Sequence, residues 1–285
     1  MKVKAKKSLG QHFLRNWGVA ERITESLLFK YRRDFTEENS NPEENSTPEE
    51  NSTPDKNNKA GVLEVGPGTG ALTDFLINRE DIALKVVEID RESVKYLSEH
   101  YPLLSGNIIE GDFLELQLDT IFYGKFSLIG NFPYNISSQI FFKVLEYKDY
   151  VPEVVCMIQK EVAVRLASPP GSRDYGILSV LLQTWYNIEY LFTVDENQFI
   201  PPPKVKSAVI RLTRNNRSFL PCNEELYRKI IKGTFNQRRK TIKNSLSGVL
   251  PESGKAELPY KGMRPEQLGV EEFIELTQAI EPILH

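Results

Sequence analysis

Short apolar segments alternate with amphipathic helical segments through the middle of this 285-residue chain. The predicted strands lie at the start of 61–79, at 83–90, within 107–116, and at 126–129, 153–159 and 207–214. The predicted helices are one after the first strand, within 61–79, and further ones at 91–101, 136–147, 160–168 and 176–186. Strands that alternate with helices favour an α/β fold, in which helices cover both faces of a mostly parallel sheet.

The alternation of strands and helices ends near residue 219, after a polar segment that contains a proline. The segments that follow read as helices only, at 223–237, 238–250 and 269–284, and a further helix is predicted near the start of the chain at 19–33. We therefore predict four parts, namely a basic N-terminal segment with the first helix (1–36), a disordered insertion (37–58), a core (59–218) and a small all-helical C-terminal domain (219–285).

The charge is unevenly distributed along the chain. The net charge of −3 includes a proline-rich repeat at 37–56 that holds seven acids and one lysine, so the other residues sum to +3. This repeat has no apolar residue with which to offset its ordering entropy, which is typical of disorder. Residues 1–33 carry nine Lys or Arg and two Glu, and residues 204–261 carry fourteen and four. Both basic segments suit a polyanion such as nucleic acid.

Other function classes are disfavoured by the composition. No apolar run approaches the roughly 20 residues that a membrane span needs, and the basic N-terminus lacks the apolar core of a signal peptide. With two cysteines and three histidines, neither a disulfide framework nor a metal site is indicated. We expect a cytoplasmic protein without a membrane partner.

Three successive predicted strands end in residues that suit an adenosine. "LEVGPGTG" places Gly66, Gly68 and Gly70 between a strand and a helix, a turn that dinucleotide, nucleotide and S-adenosylmethionine folds share. Glu88 ends the next strand, where a carboxylate can accept hydrogen bonds from ribose hydroxyls. Asp112 follows the third strand, where it can meet an adenine amino group.

The stretch "GNFPYN" (130–135) follows the fourth strand directly. Its tetrapeptide "NFPY" resembles the amino-methyltransferase signature in its Asn-Leu-Pro-Tyr form. Asn131 and the Pro133 carbonyl would accept hydrogen bonds from an exocyclic adenine amino group, and Tyr134 would stack on the extruded base for about 1–3 kcal/mol. A plain turn that caps the next helix through Asn135 or Ser137 is the alternative.

The whole motif series resembles the 16S ribosomal RNA adenine-N6 dimethyltransferases. The segments that carry the resemblance are "GQHFL" (10–14), "EVGPGTGALT" (64–73), "EID" (88–90), "GDFL" (111–114), "NFPYNIS" (131–137), "QKEVAVRL" (159–166), "YGILSV" (175–180), "FIPPPKVKSAVIRL" (199–212) and "FNQRRKTIKNSL" (235–246). The resemblance implies a Rossmann-like S-adenosylmethionine-dependent methyltransferase core at 59–218 and an RNA-binding C-terminal domain. It also implies methylation of two adjacent adenines near the 3′ end of 16S rRNA in the 30S subunit by a monomer, with S-adenosyl-L-methionine as methyl donor.

The resemblance also implies roles for individual residues. The cofactor contacts carried over are His12, Leu14, Gly66, Glu88, Asp112 and Asn131, to which the glycine turn adds Gly68. The catalytic group carried over is Asn131, Pro133, Tyr134 and Phe199, with Phe199 as the second wall of the base pocket. His12 stands where many relatives have asparagine, and Phe132 replaces the usual leucine.

Two other functions remain open at this level. One is a resistance-type methylase that acts on 23S rRNA, although "FNQRRKTIKNSL" favours the small-subunit group. The other is a small-subunit assembly factor in which methylation is secondary.

Overall fold

The computed structural model describes residues 3–29, 59–247, 250 and 257–284. The acidic repeat and the whole predicted insertion (37–58) lie outside the described residues. Among the described helices, none combines the length and the apolar composition that crossing a bilayer demands.

Strands and helices alternate as the sequence predicts. The strands are β1 (Phe13–Leu14), β2 (Ala60–Val65), β3 (Ile82–Glu88), β4 (Ile108–Glu110), β5 (Phe126–Asn131), β6 (Glu153–Gln159), β7 (Tyr186–Val194), β8 (Phe199–Ile200) and β9 (Ser207–Arg214). The helices are α1 (Trp17–Glu25), α2 (Thr73–Leu76), α3 (Arg91–His100), α4 (Ser137–Glu146), α5 (Lys160–Ala167), α6 (Ile177–Trp185), α7 (Glu224–Phe235), α8 (Ile242–Ser245) and α9 (Val270–Leu284).

A seven-stranded sheet forms the centre of the fold, in the order β4-β3-β2-β5-β6-β9-β7. The five strands from β4 to β6 are parallel, and β9 runs antiparallel to β6. The chain moves outward from β2 to β4 and then returns to place β5 on the other side of β2. Ligands of such sheets bind at the carboxyl ends of the strands where the order reverses, which here lies between β2 and β5.

The central strands are buried on both faces, as parallel sheets require. Every residue of β2 is buried, and five of the six residues of β5 are buried. Gly130 in β5 permits close packing with β2, because a Cβ at this position would stand 2.5 Å from the Val65 carbonyl oxygen. The sheet therefore brings its two central strands together at the edge where a ligand would bind.

The chain separates into two compact units. The first comprises Met1–Lys160 and Leu191–Thr213, and the second comprises Glu161–Tyr190 and Arg214–His285. The predicted C-terminal domain (219–285) falls within the second unit, which also contains residues 161–190. The predicted domain bounds themselves stay a prediction.

The second unit has its own aromatic core. The Phe235 ring lies 6.3 Å from the Tyr175 ring and 6.0 Å from the Phe273 ring, measured between centroids. The hydroxyls of Thr184 and Tyr227 share a buried hydrogen bond of 2.8 Å. These contacts join α6, α7 and α9 around one apolar centre.

Three predicted elements differ from the structure. The helix after the glycine turn is the single turn α2, and the helix at 19–33 begins at Trp17 and ends at Glu25. The predicted helix at 238–250 includes residues 248 and 249, which lie outside the described residues; among the described ones it starts only at Ile242 as α8, because the amides of Ile242 and Lys243 bond to the carbonyls of Met263 and Lys261 instead of to a preceding helical turn.

Strand β7 was missed by the sequence analysis altogether. Its apolar residues Ile188, Tyr190, Phe192 and Val194 recur with period two, and that alternation is the signal that could have identified it.

Candidate active site

A cavity of about 240 Å³ opens at the carboxyl edge of the sheet. Its walls come from the segment 8–14, the ends of β2, β3 and β5, and the loop after β4. The predicted site residues that line it are His12, Leu14, Gly66, Gly68, Glu88, Asp112, Asn131, Pro133 and Tyr134. The fold thus brings together residues that are separated by more than one hundred positions in the sequence.

The glycine turn after β2 requires glycine for its backbone. Gly66 has φ +69° and Gly68 has φ +57°, both in the left-handed region that other residues rarely adopt. A Cβ at Gly68 would also lie 2.8 Å from the Phe13 ring. The turn therefore exposes its backbone to the cavity while the N-terminal segment packs against it.

Glu88 is 4% exposed and is held by two backbone donors. Its Oε2 accepts from the Gly68 N–H at 3.0 Å, and its Oε1 accepts from the Asp90 N–H at 2.9 Å. Burial raises the pKa of the Glu88 carboxyl, and the backbone donors oppose that rise. Because each carboxylate oxygen has two acceptor positions, Glu88 can still accept hydrogen bonds from a ligand.

Asp112 is fixed in a similar way by the backbone. Its Oδ1 accepts from the Leu114 N–H at 2.9 Å and caps the short helical turn Phe113–Glu115. The carboxylate keeps acceptor positions that can meet a donor in the cavity.

The Asn131 side chain has a defined orientation. Its Nδ2 donates to the His12 carbonyl oxygen at 2.8 Å. One N–H of the amide is therefore bonded within the protein, which fixes the orientation of the amide, and Oδ1 is the atom that can accept a hydrogen bond from a ligand. The His12 ring is in turn held by a 2.8 Å hydrogen bond between Nδ1 and the Pro201 carbonyl oxygen.

Tyr134 lies beside Asn131 at the cavity wall. Its ring stacks on the His12 ring with centroids 5.5 Å apart, and its hydroxyl forms a short hydrogen bond with Ser207. Burial raises the pKa of Tyr134, and the Ser207 hydroxyl partly opposes this, so the side chain remains a neutral phenol at physiological pH.

Phe132 is 1% exposed and meets the Phe141 ring edge to face.

Phe199 is placed differently from the other predicted residues. It is 2% exposed, pairs with Leu14 between β1 and β8, and is not among the residues that line the cavity. It packs in the same apolar cluster as Leu14 and Val194. Its role as the second wall of a base pocket stays a prediction.

The sequence analysis missed Glu64, a buried acid in the cavity wall. Glu64 is 1% exposed, and its Oε2 accepts a 2.7 Å hydrogen bond from the Thr73 hydroxyl. Burial raises its pKa from 4.5 to about 8. The available signal was a single glutamate inside the apolar run "GVLEV".

The cavity lining is acidic. It contains the carboxyl groups of Glu88 and Asp112, together with Glu64, which its raised pKa leaves protonated near pH 7, and no Lys or Arg is found among the lining residues of the described chain. A phosphate group would find no cationic side chain in this lining, whereas a cationic ligand would be attracted by the carboxyl groups.

Four residues of the predicted basic segment 204–261, namely Arg238, Arg239, Lys240 and Lys243, fall into two groups in the structure. Arg238 is half-buried and its Nη2 donates to the carbonyls of Arg173 at 2.6 Å and Ser172 at 3.3 Å. Arg239, Lys240 and Lys243 are exposed. Arg238 therefore stabilises the fold locally, and the other three side chains are presented to solvent.

Comparison with known proteins agrees with this geometry. The family model described as ribosomal RNA adenine dimethylase matches residues 2–281. The chain is 52% identical over 280 residues to "Ribosomal RNA small subunit methyltransferase A" of Porphyromonas gingivalis, covering 97% of this chain and 98% of that protein.

Two solved structures share the fold. A dimethyladenosine transferase from Plasmodium falciparum superposes with TM-score 0.70 at 23% identity, covering 95% of this chain and 98% of that one. The 23S rRNA methyltransferase ErmE superposes with TM-score 0.60 at 25% identity, covering 93% and 99%. The match of the family model to nearly the whole chain, together with the identity to the small-subunit methyltransferase, shows that the chain belongs to the ribosomal RNA adenine dimethylase family.

Proposed function

We propose that this protein transfers methyl groups from S-adenosyl-L-methionine to N6 of two adjacent adenines near the 3′ end of 16S rRNA. The observation that carries this proposal is that a cavity lined by Glu88 and Asp112 and an oriented Asn131 lie at the same sheet edge. The protein would act in the cytoplasm, as a monomer, on the 30S subunit during ribosome biogenesis.

The cavity residues fit the methyl donor. Glu88 would accept hydrogen bonds from the ribose hydroxyls and Asp112 from the adenine amino group, while Gly66 and Gly68 allow close backbone approach. His12 and Leu14 would close the side formed by the N-terminal segment. The absence of lysine and arginine from the described lining suits the donor's positive charge and disfavours a dinucleotide's phosphates.

Asn131, Pro133 and Tyr134 would hold the target base. Asn131 Oδ1 and the Pro133 carbonyl would accept the two adenine N–H groups, which draws the nitrogen lone pair out of conjugation with the ring. Tyr134 would stack on the base, with its ring fixed by contacts to His12 and Ser207. Phe199 would complete the base pocket after a local movement, since it is buried in the present arrangement.

The chemistry requires positioning more than acid or base catalysis. When bound, the donor supplies an electrophilic methyl group. The protein's own residues align the amino nitrogen with that group for in-line displacement, and such alignment alone can supply several kcal/mol of the barrier reduction. No step in this account needs a metal ion.

The small subunit is the better supported target. The relative at 52% identity is named as a small-subunit methyltransferase, whereas the 23S methyltransferase that shares the fold is 25% identical. Exposed Arg239, Lys240 and Lys243 would contact rRNA phosphates.

The test is methylation of ribosomal subunits that lack these marks. Purified protein and radiolabelled S-adenosylmethionine would be incubated with 30S and 50S subunits from a strain without the corresponding enzyme. Primer extension would then locate the modified bases.

We expect label in 30S subunits only, with stops at two adjacent adenines near the 3′ end. Fully methylated 30S subunits serve as the control and should accept no label. Label in 50S subunits instead would overturn the proposed target, and no transfer to either subunit would overturn the proposed activity.

A further inference from the structure

The N-terminal residues Lys6–His12, which we call the N-terminal strap, cross one side of the cavity. Residues 8–12 of this strap line the cavity directly. Within it, the Lys6 N–H donates to the Gln11 side chain at 2.9 Å. Gly10 has φ +63°, and a Cβ there would lie 2.6 Å from Asn135 Oδ1. The strap is therefore seated against the segment that follows β5.

One end of the strap is fixed by an ion pair. The Lys6 ammonium bonds to Asp90 and lies 3.3 Å from the Glu92 carboxylate. The Asp90 side chain is 2% exposed, whereas the Lys6 side chain is 37% exposed. The pair thus joins a partly exposed ammonium group to a buried carboxylate.

Asp90 is a rigid attachment point. Its Oδ2 accepts from the Ser93 hydroxyl at 2.9 Å, and its backbone N–H donates to Glu88 Oε1 at 2.9 Å. Burial would raise the pKa of Asp90, but the hydrogen bonds from Lys6 and Ser93 outweigh burial and hold that pKa below its usual value. The ion pair is therefore anchored two residues from the Glu88 carboxylate that faces the cavity.

The other end of the strap determines the orientation of Asn131. The His12 carbonyl oxygen accepts the Asn131 Nδ2–H at 2.8 Å. If that carbonyl moved away, the Asn131 amide could rotate and present nitrogen to the substrate amino group, a donor facing a donor. The position of the strap and the polarity of Asn131 are thus linked.

We propose that Lys6 is a positioning residue, whose ion pair with Asp90 keeps the strap seated so that His12 holds Asn131 Oδ1 toward the adenine. This inference rests on the proposed function. Lys6 belongs to the basic N-terminal segment that the sequence predicts to bind nucleic acid, but in this structure its ammonium is engaged within the protein. We therefore expect Lys6 to act on the arrangement of the site and not by contacting an RNA phosphate.

The experiment compares Lys6→Met with Lys6→Arg and with a matched control, Lys95→Met. Lys95 lies on α3 and is 3.9 Å from Glu99 in an exposed ion pair that does not involve the strap. The readouts are the dissociation constant of S-adenosylhomocysteine without RNA, and kcat and the KM for 30S subunits in methylation at saturating donor. We expect Lys6→Met to weaken binding about tenfold and to lower kcat, while Lys6→Arg and Lys95→Met stay near the parent.

Two outcomes would overturn the inference. One is Lys6→Met matching Lys95→Met in both readouts. The other is a Lys6→Met defect that appears only in the KM for 30S subunits, which would assign Lys6 to RNA contact. The binding measurement needs no RNA substrate, so it tests the strap even if the parent protein fails to methylate 30S subunits.

Discussion

Replacing Glu64 with glutamine should change how the stability of the protein depends on pH. Burial is the main reason that the pKa of Glu64 rises from 4.5 to about 8, and the neighbouring carboxylates of Glu88 and Asp74 add to the rise, while the Thr73 hydroxyl opposes it. The folded protein therefore keeps a proton on Glu64 at neutral pH, and the unfolded chain does not.

The direction and the size of this pH dependence of the free energy of unfolding follow from proton linkage. Between pH 5 and 7.5 the folded state binds one proton more than the unfolded state, so the free energy of unfolding falls as pH rises. One proton corresponds to about 1.4 kcal/mol per pH unit, or about 3 kcal/mol over this range. Glutamine cannot titrate, so Glu64→Gln should lose this contribution. The stability of the variant relative to the parent should therefore increase by about 3 kcal/mol from pH 5 to pH 7.5.

Urea unfolding at several pH values would measure the free energy of unfolding of the parent and of Glu64→Gln. Far-UV circular dichroism would follow the loss of helices and strands at each pH. Glu80→Gln, at an exposed glutamate of the same unit as Glu64, is the matched control and should run parallel to the parent. If the Glu64→Gln profile also runs parallel to the parent, Glu64 is ionised in the folded protein and the reasoning is wrong.

Three further substitutions test the proposed site and RNA contacts. Tyr134→Ala should lower single-turnover methylation by the roughly 1–3 kcal/mol of a lost stacking contact, with little change in calorimetric cofactor affinity; a parental rate would remove Tyr134 from base binding. Asn131→Ala should lower the rate on the order of a hundredfold and also weaken the cofactor somewhat, and a rate within twofold of the parent would argue against the acceptor role. Neutralising Arg239, Lys240 and Lys243 together should flatten the salt dependence of rRNA binding, and an unchanged slope would make them ordinary surface charges.

Much of the sheet was predictable because several of its strands, including parallel β6 and antiparallel β9, are long enough to carry a clear pattern. The strands at 153–159 and 207–214 are confirmed at the predicted residues. Gly66, Glu88 and Asn131 could be chosen from sequence because each lies at the carboxyl end of a predicted strand. Parallel strands place these ends at one edge of the sheet. These three residues line one cavity, although their individual roles stay predictions.

The remaining features depend on contacts that sequence patterns do not encode. Lys6 and Asp90 are 84 positions apart, and nothing in either local sequence predicts their ion pair. Helix propensity favoured a longer helix after residue 238, but pairing with residues 261–263 prevailed. Phe199 occupies a two-residue strand, too short for periodicity to indicate its burial.

Gly130 limits how this protein can change during evolution. Because a Cβ would stand 2.5 Å from the Val65 carbonyl oxygen, any other residue must push two neighbouring strands apart. β2 ends at Val65, directly before Gly66, and β5 ends at Asn131, so both walls of the cavity would shift with the backbone. A second substitution in one side chain cannot reverse a displacement of the main chain. The lack of a side chain at position 130 therefore matters through the spacing of the two strands, and a larger residue there would displace both walls of the cavity.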